Sequence, residues 1–106
     1  MIKVYIASPY TTGDIGMNVK LQLDVADKLI SKGFAPFIPL LYYYQHIAYP
    51  REYDDWMKLD LEWLRQCDCL LRIGGESKGA DEEVEFSKSI GIPIFHSLEE
   101  LISSFI

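Results

Sequence analysis

Two acids in this sequence fall on helix arcs that are otherwise apolar. In residues 81–90, drawn as a helix at ~100° per residue, Val84, Phe86 and Ile90 mark the apolar arc, and Glu83 and Ser87 fall inside it. Asp81, Glu82, Glu85, Lys88 and Ser89 share the polar arc, where Glu85 and Lys88 can pair at i,i+3. A carboxylate turned inward one turn from a helix start is a candidate nucleophile. The plain alternative is an acid at a frayed helix start that stays in water. In residues 52–66, Asp55, Lys58, Glu62 and Arg65 take one polar side, while Asp60 lies between Trp56 and Trp63 on one flank and Leu64 on the other. A second inward carboxyl near Glu83 can carry a leaving group's proton. The alternative is an acid that bonds a neighbouring backbone group or tops the helix in water.

The turn before Glu83 invites an anion. Gly74, Gly75 and Gly79 let the backbone bend sharply and approach a ligand. A helix starting near residues 79–81 points its free N–H groups into a cleft, and Ser77 adds a hydroxyl. An ordinary strand-to-helix turn with acids favoured by the helix dipole reads equally well. Tyr5, inside the first apolar run, either satisfies its hydroxyl in the core or holds a catalytic carboxylate in place. The cluster Tyr42, Tyr43, Tyr44 with His46 suits a stacking wall for a base, or core packing, or a subunit contact.

The elements that must position these residues alternate. Residues 2–7 (IKVYIA), 34–41 (FAPFIPLL), 69–73 and 92–95 read as strands, with Pro36 and Pro39 placing the second at an edge. Residues 17–32, 52–66, 81–90 and 98–105 read as helices, Gly33 and Gly91 ending the first and third, and Ser97 with Glu100 forming a capping box for the last. Residues 42–50 read as aromatic and irregular. This order predicts a single α/β domain over residues 1–106, Rossmann-like (flavodoxin-like), a three-layer sandwich with a 4–5-stranded parallel sheet. Such sheets bind ligands at the carboxyl ends of their strands, where residues 8–13, 39–50 and 74–79 would gather.

Composition excludes other classes. A net charge of −6 without a Lys/Arg stripe argues against nucleic-acid polymers. No apolar run approaches the ~20 residues of a membrane span, and no signal-peptide pattern opens the chain. Cys67 and Cys69 lack zinc or redox spacing and show no ligand spacing to His46 or His96, so no metal is expected and the thiols fit a reducing cytoplasm.

With these residues in view, the chain resembles the nucleoside 2-deoxyribosyltransferase-like family. Its branch of 2′-deoxynucleoside 5′-phosphate N-hydrolases is nearest, together with short phage and bacterial relatives. The resemblance rests on KVYIASPY, DLEWLRQCDCLLRI and GESKGADEEVEFSKSIGIPIF in that order. It implies Glu83 as the nucleophile at the anomeric carbon, six residues after Ser77, with Asp60 assisting and Tyr5 as the first-strand tyrosine. It also implies a substrate site drawn from Ser8, Pro9, Tyr10, His46, Ser77, Gly79 and Ala80. A serine at position 77 is similar to what phosphate-accepting members carry, so the implied substrate is a (deoxy)nucleoside 5′-monophosphate. The implied reaction is N-glycosidic cleavage through a glycosyl-Glu intermediate without metal or organic cofactor, the sugar passing to water or a second base. A homodimer or larger assembly with the pocket near the subunit contact is implied as well. Two places depart from the family's pattern: Val84-Glu85 stands for Leu-Gly or Ile-Gly, and Thr11 and Thr12 stand where phosphate-specific members can carry an arginine. A nucleotide-binding module of the same fold without turnover is the competing expectation.

Overall fold

A strand buried on both faces must be apolar throughout, and the first strand, β1 (Lys3–Ala7), has Val4, Tyr5, Ile6 and Ala7 all fully buried. The computed structural model describes all residues, Met1–Ile106. Helix α1 (Ile15–Ser31) follows, then β2 (Ala35–Phe37), a 3-10 turn (Pro39–Leu41), α2 (Tyr42–Ala48), α3 (Tyr53–Leu64), β3 (Cys69–Arg72), α4 (Lys78–Ile90), β4 (Ile94–Phe95) and α5 (Leu98–Ser104). The sheet has four strands in the order β2-β1-β3-β4, every pair parallel. This is the α/β, flavodoxin-like architecture that the alternation of strands and helices predicts.

Alternation along β1 builds the two cores. Val4 and Ile6 point to one face and pack with Ala26 and Leu29 of α1, Leu71 of β3 and Leu101 of α5. Tyr5 and Ala7 point to the other and pack with Leu64 of α3, Leu70 of β3, and Ala80 and Val84 of α4. The chain leaves β1 for β2 on one side and later returns to β3 on the other. The order therefore switches between β1 and β3, and a crevice opens at their carboxyl ends.

Several elements differ from the sequence expectation. Helix α1 begins at Ile15 because Asp14 caps it, Oδ1 accepting the Met17 N–H at 2.8 Å. The strand expected over residues 34–41 ends at Phe37, because Pro39 cannot donate to a ladder and its fixed φ suits the first position of a helical turn. Residues 42–50, expected to be irregular, contain α2. Its first aromatic, Tyr42, packs on Phe37 and Trp56, with ring centroids 6.4 and 5.5 Å apart. Tyr49, held out of the helical region before Pro50, ends it. Helix α4 begins at Lys78, three residues earlier than expected, because Ser77 is its N-cap. Pro93 confines β4 to two residues. No helix is long and apolar enough to cross a membrane.

Candidate active site

The loop between β3 and α4 is held rigidly. Arg72, at the end of β3, donates to the carbonyls of Ile73 at 2.6 Å and Gly75 at 2.8 Å, and lies 3.3 Å from the Asp81 carboxylate. Gly74 has φ of 80°, and a Cβ there would stand 2.7 Å from Pro9 Cδ. Only glycine allows this loop to seat against the loop after β1. Ser77 Oγ then accepts the Ala80 N–H at 3.1 Å and starts α4.

Glu83 lies one and a half turns into α4 and is 6% exposed. The Tyr5 hydroxyl donates to its Oε2, while Oε1 has no hydrogen-bond partner. Burial raises the Glu83 carboxyl to about 8, the Asp60 charge pushes the same way, and the Tyr5 bond and the Arg72 charge oppose them. Burial likewise raises Tyr5 well above its ordinary value, with the Glu83 charge adding to it. Asp60, from the second half of α3, is partly buried; its Oδ1 is shut off from water without a partner, and burial raises its carboxyl to about 7. An unpartnered buried carboxyl oxygen is costly, and such costs concentrate at functional sites.

Both acids line one cleft of about 310 Å³ at the carboxyl ends of β1 and β3, a volume in the range of small-molecule sites. Tyr10, Pro39 and Leu40 form one wall, and Tyr53, Trp56 and Met57 form another. His46 joins them from α2. Its Nδ1 accepts the Trp56 indole N–H at 2.8 Å and the Arg51 backbone N–H at 3.3 Å, which places its ring proton on Nε2. Arg51 stands on the rim of this cleft.

A second recess of about 350 Å³ shares Tyr10, Thr11, Tyr53 and Gly79 with the cleft and adds Thr12, Ser77 and Lys78. The N–H groups of Lys78 and Gly79 have no acceptor within the protein. The Ala80 N–H is occupied by Ser77, and its side chain lies in the core beside Tyr5.

The structure thus brings Glu83, Asp60, Tyr10, His46 and Gly79 to one cleft and Ser77 to the adjoining recess. It does not bring Ser8, Pro9 or Ala80 there. Ser8 is buried against Gln22, whose Nε2 donates to its Oγ at 2.9 Å, and Pro9 braces Gly74. Sequence reasoning missed Arg51, Tyr53, Trp56 and Met57 as walls. It also missed Gln22, whose Nε2 donates to the Ile6 carbonyl at 3.1 Å and whose Oε1 accepts the Leu40 N–H at 3.2 Å. The signal for Gln22 was its spacing, because it shares a face with Val19, Ala26 and Leu29.

A family model described as a domain of unknown function (DUF7768) matches residues 2–97. The chain belongs to this family. A comparison with curated proteins finds no match. Among solved structures, the DUF7768 chain is similar to a 2-deoxyribosyltransferase from the psychrotolerant bacterium Bacillus psychrosaccharolyticus, with a TM-score of 0.63 and 22% identity over 87% of this chain and 69% of that one. At that identity the likeness shows a shared fold, and the activity of the DUF7768 chain must be argued from its own cleft.

Proposed function

We propose that this protein cleaves the N-glycosidic bond of a (deoxy)nucleoside 5′-monophosphate through a covalent glycosyl-Glu83 intermediate. One observation carries the reading. A buried carboxylate is held at Oε2 by Tyr5, with Oε1 unbonded, in the same cleft as a partly buried Asp60 whose Oδ1 lacks a partner. In the first step Glu83 Oε1 bonds to C1′ as the C1′–N bond breaks. The bonding pair leaves on the base nitrogen, which takes a proton from Asp60. In the second step Asp60 removes a proton from water, the water oxygen bonds to C1′, and the C1′–Oε1 bond breaks to restore the Glu83 carboxylate. A second base in place of water makes the same chemistry a transfer. The flat walls of Trp56 and Tyr10 suit a base, and the recess at Ser77 with the open N–H groups of Lys78 and Gly79 suits the phosphate. The fold shared with a 2-deoxyribosyltransferase supports this reading.

The test is chromatographic detection of free base from a panel of nucleosides and 5′-monophosphates, ribo and deoxy. Release by wild type and none by Glu83→Ala supports the reading. A specific observation favours nucleotide binding without turnover as the second reading: a Glu83 carboxyl raised to about 8 keeps its proton at neutral pH in the empty cleft, and a protonated carboxyl is a poor nucleophile. Nucleotide binding with no base released from any substrate supports that second reading. Leu41, Tyr44, Ile47, Tyr49 and Tyr53 expose apolar surface beside the cleft, which favours a homodimer contact there. A monomer in light scattering contradicts that contact.

A further inference from the structure

We propose that Arg51 is a specificity-determining residue of the cleft, joining the Ser77 recess in binding the 5′-phosphate of the nucleotide. The inference rests on the nucleotide reading above and adds a residue that selects substrate charge. The chain carries a net charge of −6, yet the side chain on its main cleft wall that is always charged is a cation, Arg51. Four other cations are committed elsewhere, while Lys78, without an ion pair, lines the adjoining recess. Lys20 pairs with Asp24 and Lys88 with Glu85, Arg72 clips the loop before α4, and Arg65 lies over the Phe86 ring. Arg51 has no carboxylate within ion-pair distance.

Its backbone is nonetheless fixed. The Arg51 N–H donates to His46 Nδ1 at 3.3 Å, and the same nitrogen takes the Trp56 indole N–H at 2.8 Å. The guanidinium therefore springs from an anchored point on the wall that carries Trp56. It is also set apart from Asp60 along α3. Arg51 precedes α3 by two residues, and Asp60 stands seven residues after the first residue of that helix, about 10 Å along its axis at ~1.5 Å per residue. Burial raises both acids at the floor, Asp60 to about 7 and Glu83 to about 8, so near neutral pH the pair carries less than its full negative charge toward the rim. The cleft is thus polarised, with two carboxyls of reduced negative charge at the floor and a free guanidinium at the mouth. A nucleotide with C1′ over Glu83 and its phosphate at the Ser77 recess passes Tyr53 and Gly79, which line both that recess and the cleft wall carrying Arg51, and the long arginine side chain covers the remaining distance. A guanidinium's fixed fork of donors matches the oxygens of a phosphate monoester, which a neutral 5′-hydroxyl does not replace.

The test measures binding and base release for wild type, Arg51→Ala and Arg51→Lys, with the common deoxy- and ribonucleoside 5′-monophosphates and their parent nucleosides. The expected wild type binds its monophosphate about 10- to 100-fold more tightly than the parent nucleoside, the range for a charge-assisted bond. Arg51→Ala should remove most of that preference by weakening the monophosphate alone, and Arg51→Lys should restore part of it. The melting temperature should not move, because the side chain has no partner to lose. Equal monophosphate affinity in wild type and Arg51→Ala overturns the inference while leaving base release, and so the glycosidase reading, standing. Arg51-dependent monophosphate binding without base release sinks the glycosidase reading and keeps Arg51. No binding of any nucleotide by wild type overturns both.

Discussion

The two faces of the sheet treat buried polar groups differently. On the face of α1 and α5, Gln22 is fully buried and every polar atom of its amide is used: Nε2 reaches Ile6 and Ser8, and Oε1 takes the Leu40 N–H. On the face of α3 and α4, Glu83 keeps one oxygen unbonded, Asp60 leaves Oδ1 without a partner, and burial raises both carboxyls. A satisfied amide between three segments braces structure. Carboxyls left short of partners cost stability, and they stand poised to exchange a proton or form a bond. On the proposed function, the comparison separates the polar groups that hold the fold from those the fold holds ready.

The comparison breaks first at Glu83. Glu83→Gln is expected to lower base release by at least about a thousandfold, since removing a nucleophile is among the largest single losses known. Its stability effect carries a definite sign. The folded carboxyl sits at about 8 against an ordinary 4.5, so folding takes up a proton between those values. The stability held by the protonated form is full below about pH 4.5 and falls as pH rises to about 8. Glu83→Gln removes that slope. Its melting temperature should match wild type near pH 4 and exceed it by several degrees at pH 9, and the reverse order would contradict the burial cost.

The acids can be sharpened as a pair. Burial raises Asp60 to about 7 and Glu83 to about 8, and the proposed mechanism requires the singly protonated pair. Base release by wild type should peak between those values and fall about tenfold per pH unit on either side. Tyr5→Phe removes the bond that lowers the Glu83 carboxyl. The shared proton then shifts toward Glu83, the rate drops about tenfold, and the alkaline limb moves upward. A profile unchanged by Tyr5→Phe would place Tyr5 in the core only.

The smallest effect on chemistry lies on the other face. Gln22→Leu strands the Leu40 N–H and the Ile6 carbonyl and should cost about 1–3 kcal/mol of stability, equally at pH 5 and pH 9. A pH-dependent loss there would erase the distinction between the faces.

Much of this arrangement is legible in the sequence because helical periodicity is strong where helices bury one side. In residues 81–90 three apolar positions define an arc, and that arc turns Glu83 inward without knowledge of the fold. Asp60 is read the same way between Trp56 and Leu64. The α/β order follows from apolar runs separated by helical segments, and Pro36 marks the edge strand β2. What stays hidden has a physical cause. Helix α2 is a run of tyrosines without an apolar stripe, and its Tyr42 and His46 pack in tilted and edge-on contacts on Phe37 and Trp56, which belong to other elements. Arg51 lies in a connection with no period at all. The backbone partners of Gln22 come from β1 and the Pro39–Leu41 turn, so no local pattern announces them. Ser8 and Pro9 were expected at the substrate, but Gln22 and Gly74 draw them into structural roles that their neighbours in sequence do not reveal.

The central claim is a covalent bond between the sugar and Glu83, and the most direct measurement is the mass of the intact protein during turnover. A 2′-fluorinated deoxynucleoside 5′-monophosphate slows both steps by withdrawing electrons from the sugar, so an intermediate can accumulate. The account predicts a mass increase equal to the sugar phosphate, mapped to the peptide carrying Glu83 and absent from Glu83→Gln. Base released at normal rates with no adduct on Glu83 would contradict it and assign the displacement to water directly.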